Sequence, residues 1–332
     1  MKKAAIILPP NQYDRIYVPG VRASLGEVCD VVVEKIHPSR IPEFADALAD
    51  VEILFTGWGP PKLDESTLSF FPKLELVLYG AGSLKGCVTD TFWERDIPIC
   101  SSWVANAVPV AEYSFAQIIL GLKQVLRLPG LMRQERGKAF PDHFEVGGAY
   151  GTTVSLISMG QIGRMVAERL KSLDVKVLAY DPFCTSETAG ELEIELVSLE
   201  DAFSRAQVVS LHTPWLKETE NMITGDLLNR IPKGGTFINT ARGAVVNEPE
   251  MIEVLRQRPD LTAVLDVTYP EPPAPDSPLY DLSNVFLTPH IAGSINGECG
   301  RMGEYAVEEC RRWIAGQPLR YQVSKTAFEK MA

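Results

Sequence analysis

The chain has 332 residues, with 32 Lys and Arg against 43 Asp and Glu, a net charge of −11 with His neutral and a pI near 5.0. At roughly 100–200 residues per domain, this length gives two domains, each able to bury its own core. Apolar residues at 45% and charged residues at 23% exclude a disordered or low-complexity chain. The acidic surplus excludes broad contact with nucleic acid or anionic lipid, both of which need basic surface to displace counterions. A small anion held at one focused site stays open.

In chain order, Met1-Lys2-Lys3 precedes Ala4–Leu8, a five-residue apolar run ended by Pro9-Pro10. A leader's apolar region needs about 7–15 residues, so this run is a first strand. Val28–Val33, Val51–Phe55, Leu74–Tyr79 and Ile97–Cys100 follow, alternating with polar or amphipathic stretches, which is the pattern of a parallel sheet covered by helices. Turn chemistry follows three of the strands, as Pro9-Pro10, Gly57-Trp58-Gly59-Pro60 and Gly80-Ala81-Gly82. Ligands sit at the carboxyl ends of such strands, so these loops are candidate substrate contacts, with Trp58 as a pocket wall.

From Asn106 to about Leu128 the pattern becomes a long helix, apolar on most faces, which predicts burial between domains or subunits. A polar stretch from Gly130 to Gly151 leads into a second series: Thr153–Ile157, Val175–Tyr180, Val208–Leu211, Thr236–Asn239, Leu261–Leu265 and Val285–Leu287. These six strands predict a doubly wound unit over residues 105–297. A last helix, Arg301 to Ala315, has too little chain after it for a third domain and is expected to pack on the first. No apolar run approaches the roughly 20 residues of a membrane span. Cys29, Cys87, Cys100, Cys184, Cys299 and Cys310 show neither CxxC spacing nor clustering, so they read as reduced thiols of a soluble, cytoplasmic protein with no metal site.

The first loop of the second series, Ser158-Met159-Gly160-Gln161-Ile162-Gly163, is a Gly-x-Gly-x-x-Gly fingerprint with serine in its first place. Gly160 lets the backbone approach a pyrophosphate and Gly163 lets helix and strand pack closely. The helix start at Gln161-Ile162 offers N–H groups to phosphate. Such a loop alone is weak evidence for a dinucleotide. Asp181, eighteen residues past Gly163 at the next strand end, strengthens it as an acceptor for the adenosine ribose hydroxyls. From Asp181 through Phe203 there are seven acidic residues and no Lys or Arg, so a 2′-phosphate would meet only negative charge and NAD is the expected form. The glutamates from Glu187 onward read as a solvated acidic surface.

Three further residues follow strand ends: Arg242 in Asn239-Thr240-Ala241-Arg242-Gly243, Glu271 five residues beyond Asp266, and His290 in Thr288-Pro289-His290. Arginine is a forked, always-charged donor for a carboxylate and a neighbouring carbonyl. Histidine delivers a proton near neutral pH, and a glutamate beside it stabilises the imidazolium and fixes the tautomer. Any one of these alone reads as a surface ion pair or a structural histidine. Together, downstream of a dinucleotide loop, they read as a site that polarises a 2-oxo acid and protonates its oxygen while hydride reaches the carbon.

The glycine loop, Asn239-Thr240-Ala241-Arg242-Gly243, Leu265-Asp266-Val267 with Glu271-Pro272, and Thr288-Pro289-His290-Ile291-Ala292-Gly293 together resemble the D-isomer-specific 2-hydroxyacid dehydrogenase family, in order and over nearly the whole chain. The resemblance implies an α/β protein in which a Rossmann-type, doubly wound parallel NAD domain (105–297) is inserted into a flavodoxin-like substrate domain made from 1–104 and 298–332. It implies a homodimer built largely through the NAD domains. It implies Arg242 for substrate, His290 as acid/base and Glu271 as its partner. Asp266, Thr240, Ala241, Arg242, His290 and Gly293 would lie at the nicotinamide end, and His212-Thr213-Pro214 along the adenosine. Backbone N–H groups of Ala81 and Gly82 would hold the substrate carboxylate. Ser155 and Ser158 depart from family glycines, and Gly80-Ala81-Gly82-Ser83-Leu84-Lys85 lacks the acidic residue and asparagine of many relatives. The rival function is a non-catalytic NAD(H)-sensing scaffold of corepressor type. A formate dehydrogenase would carry glutamine at Glu271, and a methyltransferase would leave Arg242 and His290 without a role.

Overall fold

The structure is a computed structural model and describes residues 1–136, 147–329 and 331; residues 137–146 of the polar Gly130–Gly151 stretch lie outside the described residues. The chain divides into a unit of Met1–Ala107 with Ser294–Ala332 and a unit of Val108–Gly293, the boundaries falling three or four residues from the expected 104/105 and 297/298.

The first unit carries β1 (Lys2–Ile7), β2 (Cys29–Ile36), β3 (Ile53–Thr56), β4 (Leu76–Tyr79) and β5 (Ile99–Ser101), all parallel in the order β2-β1-β3-β4-β5. That is the flavodoxin-like order. β3 and β4 are buried along their whole length, as strands covered on both faces must be, which explains their unbroken apolar runs. β1 begins two residues earlier than expected because Lys2 and Lys3 are held in the strand by Glu52 at 2.6 Å and Asp50 at 2.9 Å.

Helix α1 (Pro10–Ile16) follows β1 directly, with proline at its first position where no N–H is needed. Helix α2 (Trp103–Leu122) starts three residues before the expected Asn106 and holds Pro109 in its interior. It stops well short of Leu128, with Gln124 in the left-handed region at φ +50° just beyond its end.

The second unit holds β6 (Thr153–Ile157), β7 (Lys176–Tyr180), β8 (Glu195–Leu196), β9 (Val208–Leu211), β10 (Thr236–Asn239), β11 (Thr262–Leu265) and β12 (Val285–Leu287). All are parallel, in the order β12-β11-β10-β9-β6-β7-β8. The expected six strands are therefore seven. β8 is a two-residue edge strand paired to β7 through Leu178 and Ala179, too short and too acidic to show a period-two pattern.

Helix α3 (Gln161–Leu170) buries Gly163, Val166, Ala167 and Leu170, the i, i+3, i+4, i+7 stripe of a helix lying on a sheet. Helix α4 (Cys299–Ile314) does the same with Cys299, Met302, Gly303, Ala306, Val307 and Cys310, and returns the chain to the first unit. Its Gly303 is required there: a Cβ would lie 2.3 Å from the Ile16 carbonyl oxygen. No described helix is long and apolar enough to cross a membrane.

Candidate active site

The loops singled out in the second series all leave the carboxyl edge of one parallel sheet. β6 and β9 are neighbours in space but not in sequence, so the winding reverses between them, where open α/β sheets hold their ligands. The loop after β6 starts at Ser158 and that after β9 is His212-Thr213-Pro214. The Ser158 and Thr213 hydroxyls join the two at 2.8 Å. Ser158 stands at φ +79°, where a side chain costs roughly 1–2 kcal/mol, and this bond offsets part of that cost. A Cβ on Gly163 would meet the Ser158 carbonyl oxygen at 2.2 Å, so this glycine sets the close helix–strand approach. Around Gly160 a Cβ would meet nothing within 4 Å, and Gly160 caps α3 without a side chain. The first N–H groups of α3, from Gln161 to Gly163, have no partner within the helix, and the positive end of the helix dipole stands behind them.

Asp181 follows β7 and reaches back. Oδ2 accepts the Met159 N–H at 2.6 Å and Oδ1 accepts the Phe183 N–H at 2.7 Å. Each oxygen keeps a second lone pair for an outside donor. The acidic window is not free of cations in space, however. Arg164, on α3, bonds the Met159 carbonyl oxygen at 2.9 Å and pulls down the Cys184 thiol, which burial and Asp181 push up.

His212 is buried, and neither ring nitrogen has a partner among the described residues. Desolvation lowers its pKa from 6.5 to about 4, so the unfolded chain binds the extra proton between those values. Stability is therefore lost as pH falls through that window, by about 2 kcal/mol from this group between pH 7 and pH 5. Urea denaturation at the two pH values should show that much less acid loss in His212→Gln than in the parent; equal losses would contradict it.

Arg242, Glu271 and His290 come together in this unit. Asn239 shapes the Arg242 turn, its side chain accepting the Ala241 N–H at 3.0 Å and donating to the Arg242 carbonyl oxygen at 3.1 Å. Arg242 donates to the Ala241 carbonyl oxygen at 2.6 Å. Burial lowers its pKa, and Glu271 opposes that shift. His290 Nδ1 bonds Glu271 Oε1 at 2.5 Å. The pair lines a hollow of about 410 Å³ with Asp266, Thr268, Tyr280 and Thr288.

Two of these loops are pinned by residues expected to touch the cofactor or not singled out at all. Asp266, almost fully buried, accepts the Thr288 hydroxyl at 2.6 Å and the Ile291 and Ala292 N–H groups at 2.8 and 2.9 Å. Its carbonyl oxygen accepts the N–H of His290, which stands in the left-handed region at φ +52°. Hydrogen bonds to a charged group contribute about 1.5–3 kcal/mol each, enough to hold that backbone. Gly243 lies against the Thr268–Tyr269 peptide, with room for no Cβ, and Glu248 accepts the Tyr269 N–H at 3.0 Å, fixing the approach to Glu271. From α2, Ser114 bonds the Thr240 hydroxyl and Tyr113 the Thr288 hydroxyl, both at 3.0 Å. Tyr113, Ser114 and Glu248 carry no sequence signal, and Thr288 enters only as a member of the His290 motif. Gly293 and Pro214 lie partly exposed on the same loops.

In the first unit, the Ser101 hydroxyl lies within hydrogen-bond distance of the Ala81 and Gly82 carbonyl oxygens, at 2.9 and 2.6 Å. The N–H groups of both residues have no partner among the described residues. Trp58 is half-buried under the Arg15 guanidinium, 5.5 Å from its ring centre.

The sequence profile described as "D-isomer specific 2-hydroxyacid dehydrogenase, NAD binding domain" matches residues 115–292. The chain belongs to that family. Its second unit is the family's NAD-binding domain, and the open start of α3, Gly160 and Asp181 fit a dinucleotide there. Within the family, the chain is 31% identical over 255 residues to a D-3-phosphoglycerate dehydrogenase of Mycobacterium leprae, covering 77% of this chain and 48% of that one. It is 30% identical to a glyoxylate reductase of Korarchaeum cryptofilum, covering 77% of each. The chain thus spans about half the length of the phosphoglycerate dehydrogenases it matches. The TT0316 protein from Thermus thermophilus superposes with a TM-score of 0.71 at 26% identity, over 97% of this chain and all of that one.

Proposed function

We propose that the protein is an NAD-dependent oxidoreductase acting between C2 of a small 2-oxo acid and the D-2-hydroxy acid. The observation that carries this reading is the His290–Glu271 hydrogen bond, with Arg242 in electrostatic reach of Glu271, at the carboxyl edge of the NAD-binding sheet. Bound NAD supplies or accepts the hydride. Gly160, Gln161, Ile162 and Gly163 hold its phosphates, Asp181 its ribose hydroxyls, and His212-Thr213-Pro214 its adenosine side. Thr240, Ala241 and Gly293 border the nicotinamide end, and Asp266 anchors the loops there.

In the reducing direction the Arg242 fork polarises the 2-oxo group and grips the carboxylate, while His290 gives the oxygen its proton. Glu271 holds the imidazolium and its tautomer in place. Ala81 and Gly82 N–H groups bind the carboxylate and Trp58 walls the substrate. The first unit is the substrate-binding domain in this reading. A homodimer formed through the second unit belongs to the same proposal; Ile119, Val125 and Met132 leave apolar surface exposed there.

The test is NADH oxidation over a panel of 2-oxo acids that includes glyoxylate and hydroxypyruvate, repeated with NADPH. Turnover of at least one acid, faster with NADH, is expected. Intact NADH binding with no turnover on any acid would favour the non-catalytic sensor, and a preference for NADPH would contradict the role given to Asp181.

A further inference from the structure

We propose that Arg15, lying over the Trp58 ring, is a specificity-determining residue that receives a second oxyanion, a carboxylate or phosphate, at the far end of the 2-oxo acid. The inference rests on the reading of the protein as a 2-oxo acid reductase and narrows its substrate to diacids or phosphorylated acids.

The first observation is what Arg15 lacks. In the same unit Arg22, Arg40, Arg95 and Arg311 each meet a carboxylate. Arg15, like Arg301 and Arg320 of this unit, meets none among the described residues. Its contacts are the Gln12 side-chain oxygen at a long 3.4 Å, the Trp58 ring, and the Cys299 thiol, whose pKa burial raises. The adjoining Asp14 is engaged by Lys35 at 2.8 Å and Arg22 at 3.9 Å, and Glu298, beside Cys299, accepts the Ile295 N–H at 3.0 Å. What sets Arg15 apart from Arg301 and Arg320 is its place over the Trp58 ring.

The second observation is where it stands. α1 lies over the carboxyl ends of β3 and β4, because Gly57 and Gly80 leave room for Ile16: Cβ atoms there would meet that side chain at 2.6 and 3.0 Å. The loops after β3 and β4 touch, since a Cβ on Gly57 would lie 3.5 Å from the Gly80 carbonyl oxygen. Trp58 is one residue from that contact on one side, and Ala81, with its unpartnered N–H, one residue on the other. An anion grip built from backbone N–H groups, on the loop after β4, and a guanidinium without a carboxylate partner, on α1, therefore stand on neighbouring elements at one sheet edge.

The third is chemical. A guanidinium over an indole face is attracted by the ring's negative face, and its N–H edges remain available for bidentate pairing with an oxyanion. Trp58 positions the fork as well as walling the pocket.

The experiment compares matched substrates in the parent, Arg15→Met and Arg15→Lys: 2-oxoglutarate against 2-oxopentanoate, and phosphohydroxypyruvate against hydroxypyruvate. The parent should prefer the acidic member of one pair by about 10- to 100-fold in kcat/KM, and the pair concerned tells carboxylate from phosphate. Arg15→Met should bring that ratio close to one, chiefly through KM, and Arg15→Lys should keep part of it. A parent indifferent in both pairs, or an Arg15→Met variant that slows both members alike and keeps the ratio, overturns the assignment. Turnover of the neutral members alone overturns it without touching the 2-oxo acid reading. Failure of all four substrates, together with the wider panel, removes both.

Discussion

Replacing His290 with asparagine is expected to lower kcat for 2-oxo acid reduction by about 10²–10⁴-fold, the range a positioned general acid contributes, while leaving NADH affinity and substrate KM within a few-fold of the parent. Asparagine is the better probe because His290 stands at φ +52°, a conformation that asparagine adopts more readily than alanine. The loop is held independently of the ring: the His290 N–H donates to the Asp266 carbonyl oxygen, and Asp266 also takes the Ile291 and Ala292 N–H groups. Loss of the imidazole should therefore remove the proton donor without moving its neighbours. Steady-state kinetics with NADH binding by fluorescence checks this, and a kcat within threefold of the parent would remove His290 from the acid role. Glu271→Gln should fall between the two, since it keeps a hydrogen-bonding partner at Nδ1 but not the charge that stabilises the imidazolium.

What the sequence makes legible here are features whose physics is local. A tight strand-to-helix turn needs glycine where Gly163 packs on the Ser158 carbonyl oxygen, and titratable residues that follow parallel strands must share an edge, so Arg242, Glu271 and His290 group together from their sequence positions alone. Features set by packing between distant segments were not legible. Tyr113 and Ser114 look like ordinary members of an apolar helix, yet they reach Thr288 and Thr240. Asp266 reads as a cofactor contact, and only the fold shows its carboxylate committed to backbone N–H groups. The window after Asp181 contains no cation in sequence, but α3 brings Arg164 beside it from twenty residues earlier in the chain. The apolar pattern places the helix start at Asn106, whereas it begins at Trp103, because local pattern does not register a first turn held by packing. Arg15 shows the same limit, since nothing along the chain reveals that it has no acidic partner.

Arg242→Ala is expected to lower kcat/KM by about 10²–10³-fold, with KM rising and kcat falling together, in contrast to His290→Asn. The reason lies in what the guanidinium does in the proposed site. A grip on the carboxylate is made in the ground state and shows in KM, whereas polarisation of the 2-oxo oxygen strengthens as negative charge develops there and shows in kcat. The charge is already partly desolvated, which is why burial lowers the Arg242 pKa, so an incoming anion meets a cation with little hydration to shed. The side chain is also aimed in advance: one guanidinium nitrogen is tied to the Ala241 carbonyl oxygen at 2.6 Å, and Asn239 fixes the turn beneath it. Arg242→Lys restores the charge but neither the fork nor that tether, so it should recover only part of the loss and remain at least about tenfold below the parent. Equal activity of the lysine variant would mean that charge alone suffices. An alanine variant with unchanged kcat and raised KM would confine Arg242 to holding the carboxylate and leave polarisation of the 2-oxo group to His290.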